Sequence, residues 1–215
     1  MFNEVPPAEA LERLLQGNRA YAEDRAGEER LAHSVLRRHL VEQQRPFGIV
    51  LGCSDSRVPV EIVFNQNLGD LFVIRVAGNV LNDHVIGSIE YAVEMFGSSL
   101  LMVMGHSQCG AVRATVDSIL HGTPVNSRAN ALIDSIRPAI ESVPRDRSML
   151  EAAIEANIRH VARALEQSTP IIAPAVAAGR LGVVGAEYHL ETGLVSVITQ
   201  AVPKQTERSP AHAAE

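Results

Sequence analysis

Four short runs in this chain of 215 residues are apolar or glycine at every position but one: 47–52, 71–76, 100–104 and 181–186, with Arg75 the exception. A strand wetted on one side alternates apolar and polar residues, so a run without alternation reads as a strand buried on both faces. Such a sheet needs cover on two sides, and the stretches between the runs supply it. Residues 7–24 carry Ala10, Leu11, Leu14 and Leu15 at helical spacing, and residues 28–44 carry Leu31, Val35, Leu36 and Leu40 before Pro46 stops the helix. Further helical patterns occupy 84–96, 109–120, 126–143 and 149–166, after which Pro170 and Pro174 break any continuation. A last strand, 194–198, follows the turn Glu191-Thr192-Gly193 and makes an antiparallel hairpin with 181–186. Strands alternating with helices predict an α/β fold. Its central sheet is mostly parallel, with about four parallel strands and an antiparallel edge strand, and helices flank it.

Composition narrows the function classes. The formal net charge of −6 and pI near 5.8 give no electrostatic footprint for nucleic acid. The first residues, Met1-Phe2-Asn3-Glu4-Val5, lack the basic and apolar regions of a secretory signal, and no apolar stretch reaches the length of a membrane span. The two cysteines have dissimilar neighbours and do not read as a disulfide framework, so a reducing, cytoplasmic setting is expected. No glycine-rich phosphate fingerprint follows any strand.

Each cysteine sits in a polar cluster that closes an apolar run. Cys53-Ser54-Asp55-Ser56-Arg57 follows the first run, and His106-Ser107-Gln108-Cys109-Gly110 follows the third. If those two strands lie side by side, two thiolates and an imidazole converge at the carboxyl edge of the sheet, where open α/β sheets bind ligands. Cys53, His106 and Cys109 then make a Cys2His set, which suits a catalytic Zn²⁺ that keeps one position for water. A structural zinc would want a fourth protein ligand, and no third cysteine exists. A metal-free alternative has Cys53 as nucleophile and His106 as base, but leaves Cys109 without a role. Asp55 is placed to accept a hydrogen bond from the zinc water or to coordinate the ion itself. The Arg57 fork, pairing with that carboxylate, is expected to aim it at the water. Domain organisation follows: residues 1–45 form a helical arm, 46–203 the zinc-binding α/β domain, and 204–215 a polar tail.

At these residues the chain resembles the β-class carbonic anhydrases. The likeness covers most of the chain and is densest over 44–112. It rests on Cys53-Ser54-Asp55-Ser56-Arg57, on His106-x-x-Cys109-Gly110, on 71–79 and on 87–93. The resemblance implies reversible hydration of carbon dioxide to bicarbonate and a proton, one Zn²⁺ per chain on Cys53, His106 and Cys109, and a catalytic dyad of Asp55 and Arg57. It implies Gln44, Phe72, Tyr91 and Gly110 at the substrate cleft, with Phe72 and Tyr91 serving the cleft of a partner chain. It also implies a homodimer or homotetramer, with the N-terminal helices packing on the partner subunit. Some bacterial members carry a tryptophan three residues before the first zinc cysteine, as part of an inhibitory bicarbonate site. Here that position is Val50, and inhibition of that kind is not expected. Hydrolysis of carbonyl sulfide or carbon disulfide by the same metal set is the alternative activity.

Two thiolates cancel the formal charge of a zinc dication, so they acidify its water less than three neutral imidazoles do. The rate of carbon dioxide hydration should therefore rise from neutral to mildly alkaline pH. A rate profile that is flat over that range would count against zinc-assisted hydration.

Overall fold

The computed structural model describes residues 5–25, 33–122, 127–146 and 148–202. In chain order the elements are α1 (Pro7–Ala22), α2 (His33–His39), β1 (Gly48–Gly52), α3 (Val60–Val63), β2 (Leu71–Arg75), a 3-10 turn (Ala77–Asn79), α4 (Asp83–Phe96), β3 (Leu100–His106), α5 (Gly110–His121), α6 (Asn130–Ile140), α7 (Met149–Glu166), α8 (Ile172–Ala177), β4 (Gly182–Tyr188) and β5 (Val195–Ala201). The strands form one five-stranded sheet in the order β2-β1-β3-β4-β5. All neighbours are parallel except β4 and β5. From β1 the chain crosses to one side, to β2; from β3 it crosses to the other, to β4. The seam between β1 and β3 is thus the point where the winding reverses, and its carboxyl end is where such sheets form a crevice.

Side chains alternate across the sheet with period two and feed two cores. Ile49, Leu51, Leu101, Val103 and Val183 face α4, α5, α6 and α7. Val50, Leu100, Met102, Met104, Val184 and Ala186 face α1 and α3, joined by Ala10, Leu11 and Leu14. Whatever α1 gives to a second subunit, its apolar stripe lies on its own sheet. Helix ends follow local chemistry: the Val85 N–H donates to Asn82 Oδ1 at the start of α4 (3.0 Å), and Gly97 and Gly122 turn the chain in the left-handed region after α4 and α5.

Several elements differ from the expected bounds: β4 runs on to Tyr188, β5 to Ala201, and α6 spans Asn130–Ile140 within the expected 126–143. Helix α2 ends at His39, short of 44, because Glu42, Gln43, Gln44 and Arg45 continue no apolar face and are exposed. The predicted start of that helix, the first residue of the 126–143 helix and the tail 204–215 lie outside the described residues. Strand β3 runs two residues past the apolar run, through Gly105 to His106. Helix α8 contains Pro174, which sits in its first turn, where a missing N–H costs nothing.

Asn18 fastens α1 to the body. It is buried, donates from Nδ2 to the carbonyls of Val63 (3.1 Å) and Gly193 (2.8 Å), and accepts from the Val195 N–H (2.8 Å). Asn18→Leu strands three backbone groups in the interior. The expected loss is on the order of 3 kcal/mol in equilibrium urea unfolding.

Candidate metal centre

Cys53 leaves the end of β1, His106 ends β3, and Cys109 caps the start of α5. The register that pairs Gly52 with Met104 sets the first two side by side. The loop between His106 and Cys109 is fixed at both ends. The Ser107 N–H donates to the Tyr188 carbonyl (3.0 Å), and Ser107 Oγ accepts from the Leu190 N–H (3.0 Å). Gln108 takes a left-handed conformation, φ 59°, which turns the chain back so that Cys109 faces the cluster.

The two sulfurs and a ring nitrogen of His106 all lie within 4.8 Å of one another, and all three residues are buried. His106 Nδ1 is 2.9 Å from the Ser107 carbonyl, which fixes the proton on Nδ1 and leaves the lone pair on Nε2. Nε2 is buried with no hydrogen-bond partner among the described residues, an orphaned acceptor facing two thiols. The donor set, the compact spacing and this orphaned nitrogen together fit a zinc ion. The thiols bear on each other as well. Their mutual hydrogen bond lowers Cys53 and raises Cys109. Burial opposes ionisation of both. The N–H groups of Val112 and Ala111, at the start of α5, favour the Cys109 thiolate, and the Gly78 N–H favours that of Cys53.

Asp55 borders the cluster, with Oδ2 3.9 Å from His106 Nε2. Both carboxylate oxygens are held by Arg57: Nε donates to Oδ1 at 2.9 Å, Nη2 to Oδ2 at 2.8 Å, and the Arg57 backbone N–H adds a bond to Oδ1 at 2.9 Å. The Arg57 fork beside it keeps the Asp55 carboxyl well below the usual carboxylate range. The carboxylate is therefore ionised, fixed in direction, and turned to arginine.

Sequence reasoning passed over two supports of the site. Arg75 donates from Nε to the Cys53 carbonyl (2.9 Å) and from Nη2 to the Asp55 carbonyl (2.6 Å), tying down the loop that carries ligand and carboxylate. Its signal was visible as the single charge in the apolar run 71–76. The Gly78 N–H points at Cys53 Sγ, 3.4 Å away. A cavity of about 610 Å³, lined by Pro7, Val93, Ser99, Pro174 and Arg180, lies at the opposite, amino-terminal edge of the sheet.

A family model described as carbonic anhydrase matches residues 48–195, from β1 to the start of β5. A carbonic anhydrase of Mycolicibacterium smegmatis is 38% identical over 164 residues, 75% of this chain and 79% of that protein. Carbonic anhydrase 2 of Mycobacterium tuberculosis is 34% identical over 87% of this chain and 90% of its own. Among solved structures, a Coccomyxa β-carbonic anhydrase in complex with acetazolamide superposes with a TM-score of 0.70 at 27% identity, covering 88% of this chain and 87% of that one. The chain belongs to the β-carbonic anhydrase family.

Within one β-carbonic anhydrase chain, five of the expected site residues converge, and Gly110 follows Cys109 at the start of α5, where nothing lies within 4 Å of a built Cβ. Gln44 is exposed ahead of β1. Phe72 pairs with Ile49, three rungs before Arg75 pairs with Gly52, which places it about 10 Å back along the strand from the cluster. Phe72 stacks instead with Tyr91 and Phe96, ring centroids 6.3 and 5.9 Å away. These residues are not brought to their own chain's metal centre.

The geometry predicts that Cys109→Ser lowers bound zinc from a full complement to a small fraction while the chain stays folded. Elemental analysis after dialysis, with circular dichroism beside it, measures both.

Proposed function

We propose that this chain is a zinc carbonic anhydrase that interconverts carbon dioxide and water with bicarbonate and a proton, and that Cys53, His106 and Cys109 hold the ion. The orphaned Nε2 facing two buried thiols carries this reading. Bound zinc supplies a Lewis acid that lowers the pKa of water, so that a hydroxide nucleophile exists near neutral pH. The remaining steps fall to the protein. Asp55 accepts a hydrogen bond from the attacking water and turns its lone pair toward the carbon. Arg57, by holding both carboxylate oxygens, would keep Asp55 from coordinating the ion itself. Gly110 leaves open space at the mouth, and the N-terminus of α5 presents partial positive charge to the anionic product. The proton leaves to solvent.

Other features support finer points of the proposal. Tyr91 and Met95 stand one turn apart on α4, 50% and 59% exposed, an apolar face suited to cover by a second copy of the chain. In that arrangement Phe72, Tyr91 and Gln44 serve the partner's cleft, and the oligomer is a homodimer or a pair of dimers. Val50 is buried in the α1-side core and Arg75 is committed to two backbone carbonyls, which supports the absence of an inhibitory bicarbonate site. Among the described residues no helix is long and apolar enough to cross a membrane. Two thiols kept as metal ligands suit a reducing cytoplasm. The family's activity weighs against carbonyl sulfide or carbon disulfide as the substrate.

Stopped-flow hydration of carbon dioxide at pH 7 and 8.5, run for wild type beside Asp55→Asn with zinc content measured, tests the mechanism. Asp55→Asn is expected to keep its zinc and lose about 10–100-fold in rate. An unchanged rate would remove the dyad from catalysis.

A further inference from the structure

Gly78 stands between two peptide groups with different tasks. The N–H on one side donates to Cys53 Sγ at 3.4 Å. The carbonyl on the other side accepts from Asn157 Nδ2 at 2.9 Å. Asn157 comes from the middle of α7, is only 1% exposed, and is 79 residues away in sequence. A polar side chain in that place is unusual, since its neighbours on the same face, Ile154, Ile158 and Val161, all enter the apolar core.

Gly78 needs an anchor. Its φ of +70° lies in the left-handed region, where glycine moves with little resistance. Contacts hold it from one side: a Cβ there would lie 2.7 Å from Ile136 Cδ1 and 3.1 Å from Ala111 Cβ. Packing thus leaves no room for a side chain on that face but does not fix the twist of the turn's peptides. The hydrogen bond from Asn157 does. Helix α7 is a firm base for it, because Ile158 seats directly against Gly105, where a Cβ would come within 2.6 Å of the isoleucine.

We propose that Asn157 is a positioning residue of the metal centre: by holding the Gly78 carbonyl it aims the Gly78 N–H at Cys53 Sγ and so sets how strongly that sulfur donates to the metal. An N–H directed at a ligating sulfur draws electron density from it and leaves the ion a stronger Lewis acid, just as hydrogen bonds to sulfur tune iron–sulfur centres. The proposal rests on the zinc reading above and names a residue that reading does not use. A purely structural role for Asn157 would change stability and leave the electronic state of the sulfur alone.

Cobalt in place of zinc makes the sulfur visible through thiolate-to-metal charge-transfer absorption. In cobalt-loaded Asn157→Leu the band is expected to move to longer wavelength, and in the zinc form hydration kcat/KM is expected to fall about tenfold with metal content unchanged. Ile154→Val, a methyl removed one turn away on the same helix, is expected to lower stability and leave the band in place. A band that stays put in folded, fully loaded Asn157→Leu overturns the proposal, as does an equal move in Ile154→Val. If the leucine variant does not fold, Asn157→Ser is read by the same two measures. A wild type that takes up no cobalt or zinc refutes the metal centre itself. One that takes up cobalt but hydrates no carbon dioxide refutes the activity, and the band shift still decides on Asn157.

Discussion

The parallel pairing of β1 with β3 is the constraint from which the metal centre follows. Gly48 to Gly52 lie against Leu100 to Met104 in register, so the chain leaves β1 at Cys53 just where β3 continues to His106. A slip of one residue would exchange the two faces of a strand. Ile49 and Leu51 would then meet the α1 side, Val50 the α7 side, and Cys53 would point away from the imidazole. Both cores therefore enforce the register, because each face of β1 is buried and the two faces carry different neighbours. The ligands are held in place by hydrophobic packing some distance from the ion.

Charge in the centre is arranged to cancel. In the proposed zinc site two thiolates would balance the dication, and Asp55 is balanced by Arg57. A buried set with leftover charge would be costly, since charge is tolerated inside a protein only when paired or coordinated. The carboxylate 3.9 Å from the His106 imidazole is engaged elsewhere: arginine offers its two oxygens a bidentate match. Arg75 does the equivalent work for the backbone, neutralising the carbonyls of Cys53 and Asp55 and keeping the loop from collapsing on the site.

Much of this was legible in the sequence, for physical reasons that can be named. Strands buried on both faces write themselves as unbroken apolar runs, so all five strands were located, although β3, β4 and β5 run two or three residues past their expected ends. Cysteine and histidine are the side chains that make a zinc site, so their clustering at two strand ends carried the donor set. The parts that stayed hidden act through backbone groups. The N–H of Gly78 and the carbonyls that Arg75 and Asn157 engage belong to every residue alike and leave no residue-type signature. Asn157 falls inside a helical apolar stripe and looks like a break in it. Helix α7 does end before Pro170 and Pro174, but the short α8 stayed hidden because a proline's effect depends on its turn within a helix, which periodicity alone does not fix. Strand β3 was cut short because Gly105 is small for α7 to approach and His106 is polar for chemistry, so neither looks like a strand residue.

The edge of the sheet supplies the argument for a second subunit. Strand β2 is an outer strand, and an outer strand presents unpaired N–H and carbonyl groups that natural folds cover or disrupt. Beyond it the rings of Phe72, Tyr91 and Phe96 pack together, and Tyr91 and Met95 still show half their surface or more. A single chain gains nothing from building an aromatic cluster so far from its own metal centre and leaving it open. In the proposed homodimer, where this cluster serves the partner's cleft, a two-fold axis makes the contact reciprocal. Burying the aromatic face and narrowing a cleft for a small apolar substrate would then be one event, driven by the same removal of apolar surface from water.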